Sequence, residues 1–200
     1  MKKSFLGLAL VSGIFASQTQ AKVSSNLTAV DIQNAMKVLA VQEVVLDAQN
    51  LINWQIGDFQ KHSVKFLFGA GTSHKEATKE EGNAIWLSQN IDLMGQAQTS
   101  EALIDRATGK VLKMIVNGQE QAVGEQEIDI IEQAETSVTV PAGTFECMYI
   151  KAVVKADGKE QEVKMWANPI DVNLDGQLKT VIASMFGDVT MELTQFGPRR

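Results

Sequence analysis

Thr139-Val140-Pro141-Ala142-Gly143-Thr144-Phe145-Glu146-Cys147-Met148-Tyr149-Ile150 is the stretch from which the rest of the chain can be read. Apolar and polar residues alternate into and out of a short turn. Pro141 and Ala142 suit the two central positions of a type I turn, and Gly143 then supplies the left-handed residue of a bulge. The stretch therefore reads as the central hairpin of an antiparallel sheet, with 127–140 entering and 145–156 leaving.

Working outward, the same signals recur. Ala107-Thr108-Gly109 repeats the turn-plus-glycine pattern between 100–106 and 110–116, and Asn117-Gly118 and Asp157-Gly158 are two-residue hairpin signals. Further strands are predicted at 54–59, 62–68, 72–79, 84–96, 159–166, 177–186 and 189–196, the last two joined about Gly187-Asp188. The polar 72–79 run suits an exposed edge strand, where charge discourages pairing between sheets. Gly69-Ala70-Gly71 reads as a flexible turn, since it lacks the third glycine and the helix of a dinucleotide loop. About ten strands result, each pairing most simply with its sequence neighbour.

The N-terminal part has a different period. Lys2 and Lys3, an apolar run over 5–15 and a small-residue tail ending at Ala21 have the layout of a secretory signal peptide. Residues 22–200 are then one exported domain, and the mature segment holds no stretch long enough to span a bilayer. Thr28 and Asp31 form a capping-box start. Ile32, Ala35, Met36, Leu39, Ala40 and Val44 follow at helical spacing, which predicts one amphipathic helix over 30–51. The expected fold is α+β and mostly β: a single antiparallel meander curled into an open half-barrel around that helix.

Charge and cysteine content narrow the function. The chain has 18 basic and 24 acidic residues, a net charge of −6, and loss of Lys2 and Lys3 makes it more acidic still. An acidic surface repels phosphate backbones and anionic headgroups, which argues against nucleic acid and against electrostatic membrane docking. Cys147 is the only cysteine, so there is no internal disulfide and no lipidation cysteine at the cleavage point. The expected compartment is the periplasm.

The Val140-Pro141-Ala142-Gly143-Thr144-Phe145 turn, Trp166, Leu174-Asp175-Gly176-Gln177-Leu178-Lys179 and the closing Glu192-Leu193-Thr194-Gln195-Phe196-Gly197 resemble a family of bacterial exported domains of unassigned function. That family is similar in architecture to the outer-membrane lipoprotein carriers, an open half-barrel cupping a helix. The resemblance covers mainly the chain after Ser100. Val172-Asn173 departs from it, standing where the family tends to have proline. The resemblance permits a concavity between sheet and helix that holds an apolar small molecule or a lipidated protein, with Ile32, Met36 and Leu39 either on its wall or in a filled core.

Other chemistry finds little support. Asp171-Val172-Asn173-Leu174-Asp175-Gly176 matches half of a calcium loop, but Ile182 stands where the bidentate carboxylate belongs, so an Asx-rich turn into a strand is preferred. Cys147 sits beside Glu146, which opposes ionisation, and reads as a buried, inert thiol. His62 and His74 fall on separate strands without clustered ligands. No cofactor, metal site or catalytic constellation is expected. The reading is a non-catalytic periplasmic binding module, and its rival is an interaction or structural domain with a filled core. The space between helix and sheet separates the two: a pocket of about a few hundred cubic ångströms favours binding, and close packing there favours the rival.

Overall fold

The computed structural model describes residues 52–123, 127–156, 159–184 and 187–197. The expected leader and the 30–51 helix lie outside the described residues, as does the Asp157-Gly158 turn. The described residues are all β, in one open, antiparallel sheet.

The eleven strands are β1 (Phe59–Phe66), β2 (Gly69–Glu81), β3 (Ala84–Leu93), β4 (Gln96–Asp105), β5 (Val111–Val116), β6 (Gln119–Gln121), β7 (Glu127–Val140), β8 (Gly143–Ala156), β9 (Lys159–Ala167), β10 (Gln177–Ile182) and β11 (Val189–Phe196). Their spatial order is β6-β5-β4-β3-β2-β1-β11-β10-β9-β8-β7. Neighbours in sequence do pair, as expected, with one correction. β6 and β7 are consecutive in the chain yet form the two open edges, while β1 pairs with β11 from Gln60↔Phe196 to Lys65↔Thr190. Two meanders are thus joined through the first and last strands.

Three turns form where their residues require. Pro141 and Ala142 form a two-residue connection closed by the Val140↔Gly143 pair; the register runs on without the expected bulge, and Gly143 takes φ 144° rather than a left-handed helical angle. Asn117 and Gly118 both take positive φ, 49° and 78°. Asp105 caps the third turn, its Oδ1 accepting the backbone N–H of Ala107 at 3.0 Å and of Thr108 at 2.7 Å. A fourth turn, Met94-Gly95 (φ 55° and 80°), divides what the sequence presents as one strand over 84–96. Its signal is Asp92, whose Oδ1 accepts the Gly95 N–H at 2.9 Å.

The first strand expected, at 54–59, is instead a turn in which Asp58 Oδ2 accepts the Gln55 N–H at 2.9 Å. Gly69-Ala70-Gly71 is not a turn but the start of β2, and a Cβ on Gly71 would lie 2.0 Å from the Asp92 carbonyl oxygen. The 72–79 run is not an edge, because it lies within β2, between β1 and β3.

Most of the core lies on one face of the sheet, and a smaller cluster of Ala84, Trp86 and Leu103 is buried on the opposite face of β3 and β4. Ala77, Ile85, Leu87, Ala102, Ile104 and Met114 from β2–β5 are covered by Ile52, Trp54 and Leu174. Val64, Ile91, Leu93, Ile182, Val189 and Met191 form a second cluster that crosses β2 where β2 is glycine-rich. A third cluster gathers residues that carry the family resemblance: Val140, Ala142, Phe145, Trp166, Leu178 and Phe196 pack with Leu193 and Val172. The Phe145 and Phe196 rings meet edge to face at 6.2 Å, and the Ala142 N–H donates to the Leu193 carbonyl at 3.0 Å. The β7–β8 turn therefore bends back onto β11, and the resembling residues do packing work.

Candidate functional site

Between the first two apolar clusters lies a band of buried polar side chains. Register explains it. Gln60 pairs with Lys75, His62 with Ser73, and Lys75 with Gln89, so alternate residues of three adjacent strands bring polar groups to the same face. Gln60, His62, Ser73, Lys75, Gln177 and Thr180 are all buried.

The connection from β9 to β10 closes over this band. Asn168 organises its start: Oδ1 accepts the backbone N–H groups of Ile170 and Asp171, and Nδ2 donates to Asp171 Oδ2 at 2.7 Å and to the Glu146 carbonyl at 2.8 Å. Gly176 takes φ 68°, and a Cβ there would lie 2.3 Å from the Pro169 nitrogen, so the loop closes only around glycine. Val172 and Leu174 are driven into the core, 0% and 3% exposed.

The loop is held to the sheet by charge. Lys75 Nζ lies 2.6 Å from Asp175 Oδ2, with side-chain exposures of 1% and 6%, and 3.4 Å from Gln177 Oε1. Gln60 Nε2 donates to the Asn173 carbonyl at 2.6 Å, and Gln177 Nε2 to Thr180 Oγ1 at 2.6 Å. Burial opposes the charge on Asp175, but the Lys75 charge and hydrogen bond outweigh it and hold the carboxyl below its usual range.

His62 lies 3.1 Å through Nε2 from the Gln177 carbonyl, so Nε2 carries the proton and donates. Burial, reinforced by the Lys75 charge, lowers its pKa to about 4 against the opposing pull of that carbonyl and of Asp175. The imidazole is neutral at physiological pH. Its Nδ1, Gln60 Oε1 and both side-chain polar atoms of Asn173 have no hydrogen-bond partner among the described residues.

Of the residues singled out in the sequence, Ile32, Met36 and Leu39 lie outside the described residues. Cys147 is buried, and its thiol is pushed up by burial and by Glu146. The 171–176 loop leads into β10, and its carboxylates are engaged by Lys75 and Asn168. His74 is exposed on the opposite face of β2 from Lys75, 3.7 Å from Glu76. The sequence reading missed the Lys75–Asp175 pair, whose members are 100 residues apart. One signal was present: Gly71, Ser73 and Ala77 share a face with Lys75, and three small residues around a lysine mark a face packed too closely for solvent.

A second region is exposed. Strand β7 ends the sheet, and its residues from Asp129 to Glu135 are exposed on both faces, including Ile130 at 42% and Ile131 at 58%. The pairing with β8 slips between Ile130 and Glu132, leaving Ile131 as the extra residue of a bulge.

No family model and no curated protein matches the chain. Three solved structures resemble it in outline. A hypothetical protein from Chlamydia trachomatis aligns with a TM-score of 0.45 and 11% identity, covering 73% of this chain and 89% of its own. An inferred exported protein with a YmcC-like fold from Bacteroides fragilis gives 0.43 and 8%, covering 74% and 99%. An inferred lipoprotein from Parabacteroides distasonis gives 0.40 and 8%, covering 72% and 96%. Likeness at this level carries no functional argument. Among the described residues no helix is long and apolar enough to cross a membrane.

Proposed function

We propose that the chain is a non-catalytic, exported interaction module that meets a macromolecular partner at its open sheet edge. One observation carries this reading: the middle of the inner face is occupied by the chain's own 168–176 connection. Val172 and Leu174 fill it, and the buried Lys75–Asp175 pair fastens it to β2. A carrier would need that face for its ligand. The neutral, 1% exposed His62, with Nε2 committed to a backbone carbonyl, is a poor candidate for acid–base work on a substrate. Export and a periplasmic location rest on the basic-apolar-small order of residues 1–21.

The test is a titration with a fluorescent fatty acid. The module reading expects no saturable uptake and no shift in melting temperature. Uptake at one site per chain, altered by Leu39→Ala on the expected helix face, would establish a carrier and overturn the proposal.

A further inference from the structure

We infer that the free edge of β7 accepts a basic, extended peptide segment as a twelfth strand, an inference that rests on the interaction-module reading. An edge strand leaves every second residue's N–H and C=O unpaired on its outer side, which is the template for strand addition. Among the described residues this side of β7 is uncovered: those from Asp129 to Glu135 are exposed, and β8 is the only described strand hydrogen-bonded to it. The opposite edge, β6, has three residues and offers little to pair with.

Charge selects the occupant. Glu127, Asp129, Glu132 and Glu135 line the exposed stretch. Lys155 of β8 lies 2.6 Å from Asp129 and 3.7 Å from Glu127, which leaves the stretch acidic on balance. A second copy pairing antiparallel about Ile131 would set Glu127 of one chain against Glu135 of the other, which disfavours a homodimer. Lysine or arginine at alternate positions of a partner strand would meet Glu127, Asp129 and Glu132, which the bulge keeps on one face, while Glu135 lies on the other. Acids and a bulge also serve to discourage unwanted edge pairing. Two adjacent isoleucines exposed at the bulge do not serve that purpose, but they fit apolar side chains alternating with the partner's basic ones.

The test uses the purified full chain and a fluorescein-labelled ten-residue peptide of alternating lysine and valine, followed by anisotropy. The inference expects saturable binding that weakens with salt, at least tenfold weaker binding of the fully N-methylated peptide, and none of an alternating glutamate–valine peptide. Glu132→Lys with Glu135→Lys should weaken binding at least tenfold. Should that variant fold poorly, hydrogen exchange of the parent with peptide bound should slow at β7 amides and nowhere else. Equal binding of the N-methylated peptide would reduce the effect to charge attraction, and unchanged binding by the variant would place it elsewhere. A concentration-dependent dimer burying β7 would make a second copy the occupant. Each of these outcomes overturns the inference. Absent peptide binding together with absent fatty-acid uptake removes this inference alone, whereas fatty-acid uptake removes the reading beneath it.

Discussion

Strands β2 and β7 exchange the roles that their compositions suggest. β2 (GAGTSHKEATKEE) has no large apolar residue, yet it lies inside the sheet with Lys75 buried. β7 (EIDIIEQAETSVTV) carries three isoleucines, yet it is the edge and is largely exposed. The difference teaches that mean polarity does not locate a strand. What places β2 is its alternation: Gly71, Ser73, Lys75 and Ala77 face a loop that brings its own carboxylate, while Thr72, His74 and Glu76 face outward. Among the described residues β7 has no second element to cover Ile130 and Ile131, and the bulge at Ile131 breaks its alternation.

The largest test of this contrast removes the loop's carboxylate. Asp175→Ala leaves a buried ammonium without its counter-charge and should cost about 3–5 kcal/mol, measured by denaturant unfolding. Joining it to an apolar partner, as Lys75→Met with Asp175→Leu, should recover much of that loss, since a buried pair is expensive to break but not to replace. A loss near zero for Asp175→Ala would mean that β2 is not closed by the loop.

The next effect is a pH dependence. His62 has a folded pKa of about 4 against an ordinary value of 6.5, so between these values the unfolded chain binds a proton that the folded chain refuses. Stability present above pH 6.5 is therefore lost as pH falls towards 4, by up to about 3 kcal/mol. Asp175 acts in the same direction but in a more acidic window, below its ordinary 3.8. Unfolding midpoints at pH 7 and 4.5 should diverge in the parent and converge in His62→Gln. An unchanged slope in the variant would assign the dependence to other groups.

Two glycines should sharpen the distinction between close approach and backbone angle. Gly71→Ala drives a methyl into the Asp92 carbonyl and should cost about 1–3 kcal/mol. At Gly143 the nearest atom to a Cβ is 3.4 Å away, so the cost is that of φ 144° alone, on the order of 1 kcal/mol. A larger loss at Gly143 would contradict the packing of β2 on β3.

The turns and the hairpin arms were legible because their determinants are local: Pro141, Asn117-Gly118 and Asp105 fix φ or cap within four residues. The join of β1 to β11 and the polar band were not, because the partners are remote in sequence and the match between Lys75 and Asp175 exists only once the loop has folded back. Of the candidate site, Cys147 was read correctly as buried. The loop after Asp171 was read correctly as a turn into a strand, though not as the cover of the sheet. The β7 edge was missed because each strand was expected to pair with both its sequence neighbours, which made 127–156 the central hairpin of the sheet, whereas β6 and β7 do not pair.

The smallest expected effect is at the edge itself. Glu132→Gln and Glu135→Gln should each change stability by under about 0.5 kcal/mol, because exposed charges contribute little. A loss as large as that of Asp175→Ala would show that β7 is covered.

Residue-resolved hydrogen exchange at neutral pH compares the two strands most directly. With β2 inside the sheet and β7 at its edge, β2 amides should be slow at consecutive positions, while β7 amides should alternate between slow and fast along 127–137. Uniform protection of β7 with alternating exchange in β2 would reverse the assignment and contradict the account.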